Sequence, residues 1–397
     1  MTMRYDFDEI VDRRHTDCLK YEMMRQQTGR DDLLPLWVAD MDFRTPPFIL
    51  RTISERLQQG ILGYPFKPAR YDGSIISWLG RCHGFSVEAE AIHYLPGIVP
   101  GLAFAVAAFT EKGDGVLIQP PVYHPFHHVV TTSGRRLVES PLKLTEAGRY
   151  EMDFDDLESK LPECRLMLLC NPHNPGGFTW PAHVLERLAE LCDRYGVTVV
   201  SDEIHADLTL PGHRHTPFAT VSPVARRISL TMMAPSKAFN MPGVVAAYCV
   251  VSDAALRERY FSFLDGNDLA FGNIFGYEAT VACYSEEGED WLNQMLQYVD
   301  ANIDFTRQYL ADHCPGVSML RPEASFLVFL DNRGLGLGSQ RELVDFYEQQ
   351  ARLFLNDGSM FGREAEGFMR LNVATPRAIL AEALGRLSEA VSRLSRK

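Results

Sequence analysis

The chain has 397 residues, 39 basic and 52 acidic side chains, and a formal net charge of −13 at neutral pH. That balance excludes the basic face of a nucleic-acid binder and argues against docking on anionic lipid. Apolar residues make up 46% and charged residues 23%, the mix of a folded globular protein with a large core and two or three domains.

The N-terminal stretch, Met1 to Asp12, carries Asp6, Asp8 and Glu9 and no long apolar run, so it does not read as a secretory signal. The longest apolar stretch, Gly97 to Phe109, has 13 residues and contains Pro100 and Gly101. A bilayer span takes about 20 residues. The cysteines, at 18, 82, 164, 170, 192, 249, 283 and 314, form no C-x-x-C pair and lie mostly in apolar surroundings. They read as reduced core thiols, and the protein is expected to be cytoplasmic.

From about Ala91 to Val251, short apolar runs alternate with helical stretches. Strands are expected at 116–119, 166–170, 197–201, 228–233 and 245–251, and helices at 101–109, 123–132 and 181–195. The last of these helices opens on Pro181 and stops before Gly196, the expected start and stop chemistry. Strand–helix alternation predicts an α/β architecture with a mostly parallel sheet. After about Glu286 the rhythm changes. A long amphipathic helix is expected over 287–313, stopped by Pro315-Gly316. A strand at 325–330, a helix at 340–350, two short strands and a closing helix from Pro376 to the end follow. This α+β pattern predicts a smaller domain of residues 1–49 and 286–397 beside a large one of 50–285.

Four features fall at the ends of expected strands, and ligands of open parallel sheets bind at the carboxyl ends of the strands. The first is Leu95-Pro96-Gly97-Ile98-Val99-Pro100-Gly101, entering an apolar helix. Helix starts offer free N–H groups to an anion such as phosphate, and Pro100 has none, which leaves Ile98 and Val99. Taken alone, it also reads as an ordinary turn. The second is Asn171-Pro172-His173-Asn174-Pro175-Gly176-Gly177, whose prolines and glycines set an unusual turn that holds an asparagine amide for a ligand oxygen or simply shapes a loop. The third is Ser201-Asp202-Glu203-Ile204-His205. Asp202 ends an apolar run, and a buried carboxylate needs a partner: a ligand cation such as a protonated ring nitrogen, or else a helix cap or ion pair. The fourth places Lys237 in Ala234-Pro235-Ser236-Lys237, between two apolar runs. It is either a loop charge or an amine whose pKa falls in a dry pocket, making it a nucleophile toward carbonyls.

Asn174-Pro175, Asp202 and Ser236-Lys237, in this order and spacing, resemble the pyridoxal phosphate (PLP) enzymes of fold type I, aminotransferase class I/II, over nearly the whole chain. Trp37-Val38-Ala39-Asp40-Met41-Asp42-Phe43, Gly63-Tyr64-Pro65-Phe66, Asp202-Glu203-Ile204-His205 and Arg370-Leu371-Asn372-Val373-Ala374 sharpen the likeness. The first and third strings are similar to the cystathionine β-lyase type C–S lyases, the branch containing the maltose-regulon modulator. The resemblance implies a large α/β domain with a mostly parallel seven-stranded sheet and a smaller α+β domain. Lys237 would carry PLP and act as base on the substrate Cα. Asp202 would pair with the ring nitrogen and keep the ring an electron sink. Asn174 would bond the ring 3-oxygen with His205 beside it, and Tyr123 would stack on the ring. The Ile98 and Val99 amides and Ser236 would hold the phosphate. Tyr64 would reach the phosphate of a neighbouring subunit, which implies a homodimer with a shared active site. Arg370 would grip the carboxylate of an amino-acid substrate, with Tyr123 beside it. Many relatives have a hydroxyl three residues before the lysine and an arginine eight after it. Here Ala234 and Val245 stand there, so the phosphate leans on backbone amides.

The histidine groups, His124, His127 and His128 and then His213 and His215, have no carboxylate or cysteine at metal-ligand spacing, so no metal site is expected. His124 is expected near the PLP pocket. The leading expectation is α,β-elimination from cystathionine or another cysteine S-conjugate, giving pyruvate, ammonia and a thiol. The rivals are an aminotransferase on the same scaffold and a regulatory protein that binds a transcription factor. A dinucleotide-binding dehydrogenase is disfavoured by the lack of a G-x-G-x-x-G after a strand.

Overall fold

The computed structural model describes residues 3–146, 148–269 and 271–394. Its centre is a seven-stranded sheet of β1 (Ile92–Leu95), β2 (Gly115–Ile118), β3 (Arg136–Glu139), β4 (Cys164–Cys170), β5 (Thr198–Asp202), β6 (Ser229–Met233) and β7 (Ala247–Val250). The spatial order is β1-β7-β6-β5-β4-β2-β3. Pairs β2–β3, β2–β4, β4–β5 and β5–β6 are parallel. Only β7 runs against its neighbours, β6 and β1.

The apolar runs are continuous because both faces of the sheet are covered. Alternate residues of β4 point opposite ways: Leu166 and Leu168 pack with Leu102 and Val106 of the helix Ile98–Phe109. Met167 and Leu169 pack with Leu185 and Leu188 of the helix Ala182–Arg194. The registers Cys170↔Asp202 and Asp202↔Met232 align the ends of β4, β5 and β6. The turns that follow them therefore leave one common edge.

A second, four-stranded antiparallel sheet is built from β8 (Ser318–Met319), β9 (Leu327–Asp331), β10 (Asn356–Asp357) and β11 (Phe368–Asn372), in the order β8-β9-β11-β10. The 28-residue helix Glu286–His313 leads into it, with Ser285 capping its first turn. The N-terminal segment joins this region: Leu34–Pro35 pairs in parallel with Leu353–Phe354.

Several expected boundaries move. The last strand of the large sheet is Ala247–Val250, because Val245 adopts φ 58° and turns the chain before pairing begins. The helix expected from Tyr123 starts at Pro125, whose ring suits a first helical turn, so Tyr123 stands free of it. The helix expected over 340–350 is α-helical only over Gln340–Asp345 and continues as a π-helix, Phe346–Ala351. Three short strands, not two, follow it. The closing helix covers Arg377–Leu394, and the expected remainder to the chain end lies outside the described residues. Among the described residues, no helix is long and apolar enough to cross a membrane. All eight cysteines are free thiols, six of them buried.

Candidate active site

The turns after β1, β2, β4, β5 and β6 meet along the carboxyl edge of the large sheet, where the second sheet adds β10 and β11. Lys237 lies in the short helix Pro235–Ala238, directly after β6. Its Nζ donates to the Ala39 carbonyl at 2.5 Å. Burial lowers its pKa to about 8; the Arg370 charge adds to this, and Asp40 and Asp202 oppose it.

Asp202 is the last residue of β5 and is 4% exposed. The Ile204 amide donates to its Oδ1 at 3.1 Å. Burial raises its pKa to about 7, the Ile204 bond opposes the rise, Glu203 adds to it and Lys237 opposes it. A carboxylate so placed is incomplete until a cation meets it. His205 is buried two residues beyond Glu203, and its Nδ1 has no hydrogen-bond partner among the described residues. Burial, with the charges of Lys237 and Arg370, pushes it down to about 3, so it is neutral at physiological pH.

Arg370 comes from β11, is 4% exposed, and is aimed by acceptors from three parts of the chain. Its Nη1 donates to Asn174 Oδ1 at 3.0 Å. Its Nη2 donates to Asn356 Oδ1 at 2.6 Å and to the Trp37 carbonyl at 3.2 Å. The guanidinium lies 4.8 Å from the Phe361 ring centre. Burial lowers its pKa to about 10, so it stays charged. No anion answers that charge among these partners, and Nε is buried without a partner among the described residues. Such a group suits a carboxylate.

Asn174 is buried in the loop after β4, and its amide donates to Cys170 Sγ at 3.3 Å. Tyr123 is half-buried; burial raises its pKa, Arg370 opposes the rise and Asp202 adds to it. His124, edge-on to Tyr123 at 5.1 Å, is pulled down to about 4 by partial burial and then by Arg370. Ile98 and Val99 open a 12-residue helix that no side chain caps, so its first N–H groups remain open to an anion. Gly97, at φ 149°, supplies the turn before them. Ser236 is buried at the same edge.

Tyr64 is the sequence-predicted residue that the single chain does not bring to the others. It is 95% exposed, with its ring 5.7 Å from Phe271. A cavity of about 850 Å³ opens beside Lys237 and Tyr123. Its wall includes Val38, Ala39, Asp40, Arg13 and Val244.

Several participants carry no signal in the sequence. Asn356 and Phe361 hold Arg370 but follow no motif. Arg13 clamps Asp40 at 2.5 Å and Asp42 at 3.1 Å, while Lys20 binds Asp42 at 2.7 Å. The doubled acid of the Trp37–Phe43 string is the one available sign that two cations are recruited there. Chemically, the edge offers an amine of lowered pKa, a buried carboxylate, a helix start without a side-chain cap among the described residues, and a buried, charged arginine.

Comparison with known proteins gives a consistent result. The family described as aminotransferase class I and II matches residues 31–387. Cystathionine beta-lyase PatB of Bacillus subtilis is 42% identical over 98% of this chain and 100% of its own length. Protein MalY of Escherichia coli is 31% identical over 98% of this chain and 99% of its own. The PLP-bound C-S lyase from Staphylococcus hominis superposes with a TM-score of 0.91 at 32% identity, covering 98% of each chain.

Proposed function

Because this chain belongs to the aminotransferase class I and II family, we propose that it is a PLP-dependent carbon–sulfur lyase acting on cystathionine or another cysteine S-conjugate. The observation that carries the reading is the meeting of Lys237, Asp202 and Arg370 at one buried edge, where the charges of Asp202 and Arg370 both act on the Lys237 amine. The residues fit the cofactor. Asp202 would offer its buried carboxylate to a protonated ring nitrogen, whose charge would offset the burial that raises its pKa. Asn174, whose Oδ1 accepts from Arg370 Nη1, would turn its Nδ2 donor to the ring 3-oxygen, with His205 as a neutral ring at the same edge. Tyr123, half-buried at this edge, would cover a ring face. The Ile98 and Val99 amides with Ser236 receive the phosphate. When bound, PLP supplies an electron-poor ring that accepts the electron pair released at the substrate Cα.

Lys237 Nζ would hold the cofactor and, as a neutral amine, would take the proton from the substrate Cα. Its lowered pKa keeps a sizeable share of the amine neutral near neutral pH. Arg370 binds the substrate carboxylate and thereby orients the Cα–H bond toward Nζ. The Cβ–S bond then breaks and the sulfur leaves as thiolate. With water, a cysteine S-conjugate yields pyruvate, ammonia and the thiol. Tyr123 lines the same cavity as Lys237.

The chain is proposed to work as a homodimer. Tyr64 and Phe66 are 95% and 91% exposed, and Ile61 and Leu62 flank them, which is unusual for large apolar side chains in one loop. In a dimer, Tyr64 of the partner subunit completes the phosphate end of the site. The large unit is taken as 50–285 and the small one as 1–49 with 286–397. The place of action is proposed to be the cytoplasm, a reading supported by eight free thiols. Incubation of the PLP-loaded protein with cystathionine tests the reaction: pyruvate and homocysteine in equal amounts are expected. Conversion to a 2-oxo acid that keeps its sulfur would establish transamination instead.

A further inference from the structure

Asp202 must meet a ring nitrogen at a set place, yet its own side chain is held by a single backbone amide, that of Ile204. Its position is therefore inherited from the backbone of residues 201–204. Side chains alternate along a strand, so Ser201 and Glu203 share the face opposite Asp202. There Glu203 is 1% exposed and fully engaged. Ser201 Oγ donates to its Oε1 at 2.8 Å, and the Phe218 amide donates to the same oxygen at 2.9 Å. Its Oε2 lies 2.7 Å from His215 Nε2.

His215 comes from the loop after β5, and that loop is tied in twice more. Asn171 Nδ2, at the end of β4, donates to the Thr216 carbonyl at 3.0 Å. The His215 ring stands edge-on to His83 at 5.7 Å, and His83 is itself bonded to Asp207 at 2.7 Å. The Asn171 amide meanwhile donates to the Asp202 carbonyl at 2.9 Å, and the Glu203 amide to the Met232 carbonyl at 2.8 Å. The turn carrying Asp202 is thus clamped from β4, from β6 and from behind. A buried, hydrogen-bonded polar pair contributes little net stability compared with apolar side chains of equal volume, whereas it fixes one arrangement of the groups around it. Here the arrangement it fixes lies one residue from the ring-facing carboxylate.

We propose that Glu203, held by His215, is a positioning residue for the cofactor: it sets the backbone under Asp202 and so aims that carboxylate at the PLP ring nitrogen. The inference rests on the PLP reading of the site. Removing the brace loosens and tilts the cofactor but leaves the substrate carboxylate contact at Arg370 in place.

The test compares the parent with Glu203→Met, Glu203→Gln and His215→Asn, each stripped of cofactor and titrated with PLP. Melting of the apo forms, the PLP dissociation constant, the visible circular-dichroism band per bound cofactor, and kcat and KM are read together. Glu203→Met is expected to weaken PLP binding at least ~10-fold, the lower end of what losing an outer partner of a metal ligand costs. Its visible band shrinks, kcat falls and KM holds. Glu203→Gln, which keeps the shape and most hydrogen bonds, restores most of the band. A band and dissociation constant equal to the parent's in Glu203→Met overturn the proposal. If that variant does not fold, His215→Asn decides on the same two readouts. A parent that takes up no PLP overturns the reading of the site itself, whereas a PLP-binding parent matched by all its variants overturns only this brace.

Discussion

Replacing Arg370 by lysine isolates the substrate-binding half of the site. The guanidinium is fixed on three acceptors, Asn174 Oδ1, Asn356 Oδ1 and the Trp37 carbonyl, and is stacked on Phe361. A lysine has one compact ammonium and no planar fork, so it cannot hold that frame and also present a further donor to a carboxylate. The loss amounts to one charge-assisted hydrogen bond of about 1.5–3 kcal/mol, or about a 10- to 150-fold fall in kcat/KM. Charge is conserved, so PLP affinity should fall much less than kcat/KM, by no more than the loss of the Arg370–Asn174 hydrogen bond. Pyruvate release against cystathionine concentration measures the fall. A thioether propionate, with the carboxylate but no amine, serves as a competitive inhibitor whose affinity should weaken by the same factor. If Arg370→Lys keeps kcat/KM within about threefold of the parent, the fork argument fails. If PLP affinity falls in step with activity, Arg370 acts on the cofactor and not on the substrate.

Lys237 should capture PLP through its neutral amine, and its folded pKa of about 8 sets the profile. The capture rate by apoprotein should rise about tenfold per pH unit below 8 and level off above it, and a rise continuing to about pH 10 would mean an unperturbed lysine. Asp202 carries a folded pKa raised from 3.8 to about 7, so the folded apo state binds its proton more tightly than the unfolded chain. Apo stability is therefore lost as pH climbs from about 4 to about 7, and apo Asp202→Asn should melt above the apo parent at pH 8 but not at pH 4. The same variant should lose PLP affinity and turnover, and equal melting at pH 8 would contradict the burial argument. Tyr64→Asp with Phe66→Asp should convert a sedimenting dimer to monomer and weaken PLP binding; an unchanged dimer would show that this loop is not its contact.

Much of the site is legible in the amino-acid order alone. Asn174, Asp202 and Lys237 each follow an apolar run, and strand ends in a parallel sheet converge on one edge, so their order along the chain already implies a meeting. The two-faced burial of β4, β5 and β6 is legible for the same reason: an uninterrupted apolar run must be covered on both sides. The helix stops at Gly196 and Pro315-Gly316 are local backbone chemistry and need no partner to be read.

Other features depend on partners distant along the chain. Arg370 reaches Asn174 across 196 positions, and Lys237 reaches the Ala39 carbonyl across 198. Asn356, Phe361, Arg13 and Glu203 take their roles from what faces them, and no local spacing announces a facing group. The reversed direction of β7 is set by the connection that enters it through Val245, since a buried strand has the same apolar pattern read either way. The change of the helix after Asp345 likewise accompanies its packing against the closing helix. Periodicity and turn chemistry are short-range and survive in the sequence alone. Charge pairing, strand direction and the aim of a side chain are settled by three-dimensional neighbours, and those exist only once the chain has folded.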